Sequence, residues 1–267
     1  VATSNLRITG TGRKKSVIGT TTIKEGSVKV AYTQCRYLIR NQTVNFEDGV
    51  INLGYFQLRD TLSNTATLSG RIYHEFFDKL FFDNVKLETE KLALLHTTKY
   101  DNSQFYGNVI GRANMNISGP TTDLRMNIFG SPSILDSSHI FLPTGAGKES
   151  NTVDYIDFIQ FGSEMEEAKL SQNSNIIVDL TVDANPACQV DVILDEETQD
   201  IIKGQGSGRI NIRVGNREAL TIRGDYVLSK GQYTFNFQTF LKKPFELNRG
   251  VIGWRGDPYQ ADINIDA

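Results

Sequence analysis

Apolar and polar side chains alternate one by one through most of this chain. Val178, Leu180 and Val182 are interleaved with Asp179, Thr181 and Asp183. The same pattern recurs in Val190, Val192 and Leu194, in Ile210, Ile212 and Val214, and in Leu220 and Ile222. Tyr233, Phe235 and Phe237 enclose Thr234 and Asn236, and Ile263 and Ile265 close the chain. Ala66 with Leu68, Ala113 with Met115 and Ile117, and Leu124 with Met126 and Ile128 continue it in the first half. A period of two sends successive side chains to opposite faces of a strand, so these runs read as strands with one greasy face. Turn signals such as Glu25-Gly26, Gly119-Pro120, Gly215-Asn216 and Lys230-Gly231 separate them. Many short strands between such turns predict an all-β chain with mostly antiparallel neighbours.

Helical spacing occurs once, at Tyr155, Phe158 and Ile159, and continues into the charged stretch 164–170. The expected organisation is therefore a first β part over 1–130, an excursion with a short amphipathic helix over 131–175, and a second β part over 176–267. The chain opens on Val1 without a leader-like segment and both ends read as strands. The expectation is an internal fragment of a longer protein.

A sheet with one apolar face must hide it. Two stacked sheets, a closed barrel, or a sheet folded lengthwise into an open trough all do so, and alternation alone does not choose among them. Of the 267 residues 39% are hydrophobic, yet no run approaches the ~18–20 that a membrane-spanning helix needs. The net charge of -3 is spread through the chain, without the clustered basic face of a nucleic-acid binder. Cys35 and Cys188 sit in unlike contexts and read as buried small hydrophobes rather than a disulfide framework.

Catalytic and metal patterns find little to work with. His74, His96 and His139 stand without ligand partners at metal spacing. Gly204, Gly206 and Gly208 precede a strand, not a helix, which excludes a phosphate loop. The acidic turn 195–200 lacks the spacing of a calcium loop, and nothing orients Glu75 and Asp78 as a glycosidase pair. The expectation is a protein that is not an enzyme, with no cofactor and no metal site.

The order of the motifs carries a resemblance. Leu220-Thr221-Ile222-Arg223-Gly224-Asp225-Tyr226 is followed by Gly231-Gln232-Tyr233-Thr234-Phe235. Then come Phe245 with Leu247, the corner Gly253-Trp254-Arg255-Gly256-Asp257-Pro258, and Ala261-Asp262-Ile263. Upstream, Leu58-Arg59-Asp60, Phe105-Tyr106-Gly107 and Ile140-Phe141-Leu142-Pro143 fit the same order. This arrangement resembles the C-terminal domain of the TamB family, within the AsmA-like superfamily, in a form similar to that of Bacteroidetes-type bacteria. The chain departs at Gln199, where the family usually has glycine.

The resemblance implies an elongated, mostly antiparallel sheet folded lengthwise into an open hydrophobic trough. It implies a periplasmic bridge in a diderm bacterium, held by an inner-membrane anchor outside this chain. The carboxy-terminal end would lie near the outer membrane and a TamA-like assembly barrel. The implied function is phospholipid transport between the two membranes, with the acyl chains in the groove; the alternative is a scaffold for outer-membrane protein insertion or secretion. Combined with the alternation, it nominates the lipid-facing set as Val178, Leu180, Val182, Val190, Val192, Leu194, Ile210, Ile212, Val214, Leu220, Ile222, Tyr233, Phe235, Phe237, Ile252, Trp254, Ile263 and Ile265. Each methylene held in water costs about 0.8 kcal/mol, so a 16-carbon chain crossing an aqueous gap faces roughly 12 kcal/mol. An apolar wall removes most of that cost without chemistry.

Overall fold

The computed structural model describes residues 1–11, 14–103, 105–143, 175–195, 200–237, 241–258 and 260–266. The described residues are all-β, and their seventeen strands join one sheet. They are β1 (Ala2–Thr11), β2 (Lys14–Lys29), β3 (Arg36–Glu47), β4 (Val50–Asn52), β5 (Phe56–Asp60), β6 (Thr65–Glu75), β7 (Asp78–Thr97), β8 (Tyr106–Pro120) and β9 (Asp123–Pro132). There follow β10 (Ser138–Pro143), β11 (Asn175–Ala184), β12 (Cys188–Asp195), β13 (Asp200–Gly215), β14 (Thr221–Phe237), β15 (Leu241–Leu247), β16 (Arg249–Gly256) and β17 (Ala261–Asp266).

Long strands serve two shorter neighbours each, and this folds the sheet lengthwise. β3 pairs near its start with β5 and near its end with β4, and β6 rejoins both. β8 carries β10 along Tyr106–Asn108 and β9 along Gly111–Ser118. Two parallel pairs carry the split onward, β9 with β11 and β10 with β12, and β13 collects both strands. β14 then holds β16 along Ile222–Leu228 and β15 along Gly231–Phe237. All other pairings are antiparallel.

The switches between neighbours fall beside irregular backbone. Register shifts occur between Ser69 and Arg71, between Phe82 and Val85, and between Gln205 and Gly206. Such bulges bend a strand and sharpen its twist. Gly70 lies in the first of them with φ +124°, where an added Cβ would meet the Val85 backbone at 2.8 Å. Gly204, Gly206 and Gly208 have the same explanation. A Cβ at Gly204 would collide with the Leu228 side chain, and at Gly206 and Gly208 with the carbonyl oxygens of Val227 and Asp225. The alternating glycines let β13 and β14 approach closely at the bend.

Two buried clusters hold the fold. One gathers Cys35, Tyr37, Val44, Leu53, Phe56, Leu58, Ala66, Val85 and Leu92. The other gathers Val190, Val192, Ile202, Tyr226, Leu228, Leu247, Ile252 and Trp254. Both draw on strands from either side of the split, so the apolar face of the sheet is turned inward on itself. Cys35 and Cys188 are free and buried, as their contexts predict.

Several expectations need adjusting. The stretch 131–175 is not all excursion, because Ser138–Pro143 forms β10 inside the sheet. The amphipathic segment 155–170 lies outside the described residues. Leu220 sits just before β14 rather than in a strand. β12 is buried on both faces: Asp191 and Ile193 are as enclosed as Val190 and Val192. Asp191 there accepts a 2.8 Å hydrogen bond from Gln189 Nε2, a partner that a buried carboxylate requires.

Candidate functional site

The inward side chains line up across strands. Phe56 opposes Leu68, Leu68 opposes Leu87, and Leu87 opposes Met115. The row continues through Ile128, Leu180, Ile212 and Ile222. It crosses eight strands without a polar residue, and at ~4.8 Å per strand its seven gaps span about 34 Å. A second row runs Val85, Ile117, Met126, Val178, Val214. A third runs Ala113, Gly130, Val182, Ile210, Gly224, Trp254, Ala261.

Burial varies across the inner face. Leu92, Val192 and Ile252 are 1% exposed, packed within the two clusters. Between them Met115, Met126, Ile128, Val178, Leu180, Val182 and Ile212 are only half-buried. The middle of the apolar face is thus open to an occupant, whereas the clusters brace it on either side. The buried Thr89 is satisfied within the protein: its Oγ1 donates to the Thr65 carbonyl at 2.7 Å.

The opposite face is charged. Arg213 spans Asp179 at 3.0 Å and Glu218 at 2.8 Å, Arg209 is bidentate on Asp183, and Arg255 lies 2.7 Å from Asp225. Arg209 holds the Asp183 carboxyl below the usual carboxylate range. These exposed pairs are worth little stability, but they keep that face in water.

At one lip of the trough the β6–β7 turn is aromatic and strained. Phe76, Phe77 and Lys79 all adopt positive φ, at 52°, 65° and 47°. Phe77 stacks on the buried His74 ring at 4.8 Å and meets Phe46 edge-on at 6.0 Å. Its backbone N–H donates to His74 Nδ1 at 3.0 Å. Burial lowers the His74 pKa, favouring the neutral ring that this contact needs.

The family model for the TamB C-terminal domain matches residues 54–267. The chain belongs to the TamB family. That membership places it among cell-envelope proteins of the translocation and assembly module. No curated protein and no solved structure gives a significant match.

In this TamB domain most of the nominated residues share the inner face. Val178, Leu180, Val182, Ile210, Ile212, Val214 and Ile222 lie in the three rows. Val190, Val192, Ile252 and Trp254 belong to the second buried cluster, with Leu194, Tyr233 and Ile265 packed against it. Ile263 opposes Ile252 but stays 42% exposed, because β17 meets only β16 among the described residues. The side chains of Phe235 and Phe237 lie outside the described residues. The nominated set stops short at its amino-terminal side: Phe56, Leu68, Leu87, Met115 and Ile128 complete the longest row. The alternation around Leu68, Met115 and Ile128 was the signal for three of them.

Proposed function

We propose that this TamB domain conducts phospholipid between the inner and outer membranes, with acyl chains lying against the half-buried middle of the apolar face. The observation that carries the reading is the unbroken row from Phe56 to Ile222. A path of roughly 34 Å exceeds the ~30 Å hydrocarbon thickness of a bilayer. An acyl chain moving along it would keep its methylenes out of water, at about 0.8 kcal/mol each. The transfer needs no covalent step and no cofactor. A TamA-like barrel would receive the lipid at the outer membrane.

The register supplies matched test positions. A photo-crosslinking residue placed at Leu180, Ile212 or Ile222 should capture phospholipid in cells. The same residue at the outward neighbours Thr181, Asn211 or Arg223 should not. Equal labelling of the two sets would refute the conduit.

A further inference from the structure

The outward face repeats the inner row with different chemistry. One residue along from each apolar position, Thr67, Glu88, Asn114, Phe129, Thr181 and Asn211 form an equally unbroken cross-strand row. All but Phe129 carry hydrogen-bonding groups. Alternation calls for a solvated side chain at that position, yet a half-buried benzene ring stands there. The Arg112 guanidinium lies 5.8 Å from its centroid.

The surface around this ring is shallowly concave. Phe129, Asn114 and Thr181 share a hollow of about 450 Å³ with Lys86, Asn116 and Asp179. A second hollow of about 430 Å³ adjoins it, with Glu88 common to both, and extends to Asn64, Thr67 and Lys91. Within the first, Asn116 Oδ1 is buried without a hydrogen-bond partner, while its Nδ2 is turned to Asn84 Oδ1 at 3.3 Å.

The chemistry selects the ligand class. Cations and anions are mixed here (Lys86, Lys91 and Arg112 with Glu88, Glu90 and Asp179), so a phosphate-rich ligand finds no net attraction. One half-buried ring amid amides and hydroxyls is too polar a setting for a second acyl site. A pyranose ring fits: its C–H face stacks on an aromatic ring, and its hydroxyls both donate and accept. Two adjoining hollows, on strands spaced ~4.8 Å apart, suit a chain of sugars rather than a single one. We propose that the outer face of this wall binds a neutral saccharide chain, with Phe129 as the stacking platform and Asn114 and Glu88 as the polar contacts. The sheet would then handle lipid on one face and glycan on the other.

The test is calorimetric titration of the purified 267-residue chain with chitotriose and with maltotriose at millimolar concentrations, alongside saturation-transfer NMR. At least one of them should bind. Phe129→Ala and Asn114→Ala should each weaken it about tenfold, the loss of one stacking or hydrogen-bonding contact. Asn114 is exposed, so its substitution reports on binding even if the ring substitution perturbs folding. Binding of neither sugar overturns the proposal, as does unchanged affinity in the folded variants.

Discussion

Asp60 and Ala93 are 33 residues apart in sequence and joined by a 2.9 Å hydrogen bond from the Ala93 N–H to Asp60 Oδ2. Asp60 is 1% exposed, and its carboxylate also accepts from the amides of Leu62 and Asn64 and from Asn64 Nδ2. The Ala93 carbonyl is held in turn by the Tyr37 hydroxyl at 2.8 Å. One residue of β7, beside a register shift, is thereby gripped through both of its backbone polar groups.

Replacing Asp60 by Ala takes a charged acceptor from all four donors at once, and should destabilise the chain by about 3 kcal/mol. Tyr37→Phe removes the neutral hydrogen bond to the Ala93 carbonyl and should cost about 1 kcal/mol. Urea denaturation checks both. Equal effects would show that the carboxylate is not the stronger tie.

Glycine substitutions should divide by position. Gly206→Ala drives a methyl group into the Val227 carbonyl oxygen and should cost about 1–3 kcal/mol. Gly130→Ala, where the nearest atom is the Arg112 oxygen at 3.7 Å, should stay within about 0.5 kcal/mol of the parent. Thermal melts of the two variants side by side decide it.

Alkaline pH should loosen the fold. Burial pushes the Cys188 thiol up to about 11 from an ordinary 9.0, and raises Cys35, Tyr37 and Tyr226 as well. These groups fold in their neutral forms. Their contribution is complete below the ordinary values and is lost as pH climbs towards the raised ones, beginning near pH 9. For Cys188 alone the loss reaches about 2 kcal/mol by pH 11. Melting temperatures recorded from pH 7 to 11 should fall above 9, and less steeply in Cys188→Ala.

Charge placed on the apolar row should expel its occupant. Leu180→Asp and Ile212→Asp put carboxylates at directly opposed positions of β11 and β13. Phospholipid co-purifying with either variant, measured by native mass spectrometry, should drop severalfold. Thr181→Asp and Asn211→Asp, on the other face, should leave it unchanged.

The strands and their inward faces were legible because alternation is local. Val178, Leu180 and Val182 announce one face, and their partners Ile210, Ile212 and Val214 announce the matching one. The split of β13 between β11 and β12 was not legible, because it arises from pairing partners far away in the chain. The glycines at 204, 206 and 208 signalled that something unusual happens there, but only their neighbours on β14 say what. Asp60 and Asp191 look like ordinary surface acids in the sequence, since nothing local records what covers them. Phe129 breaks the alternation, yet a single break carries little weight until the hollow around it is seen.

The continuity of β13 and β14 through the bend has a mechanical consequence. The flanks of the trough are not separate plates, so neither can slip past the other without tearing the ladders of both. Its width can change only by flexing at the few bulged or glycine-bearing positions, as a folded leaf spring does. Passengers of different girth would then be admitted by elastic spreading rather than by a door.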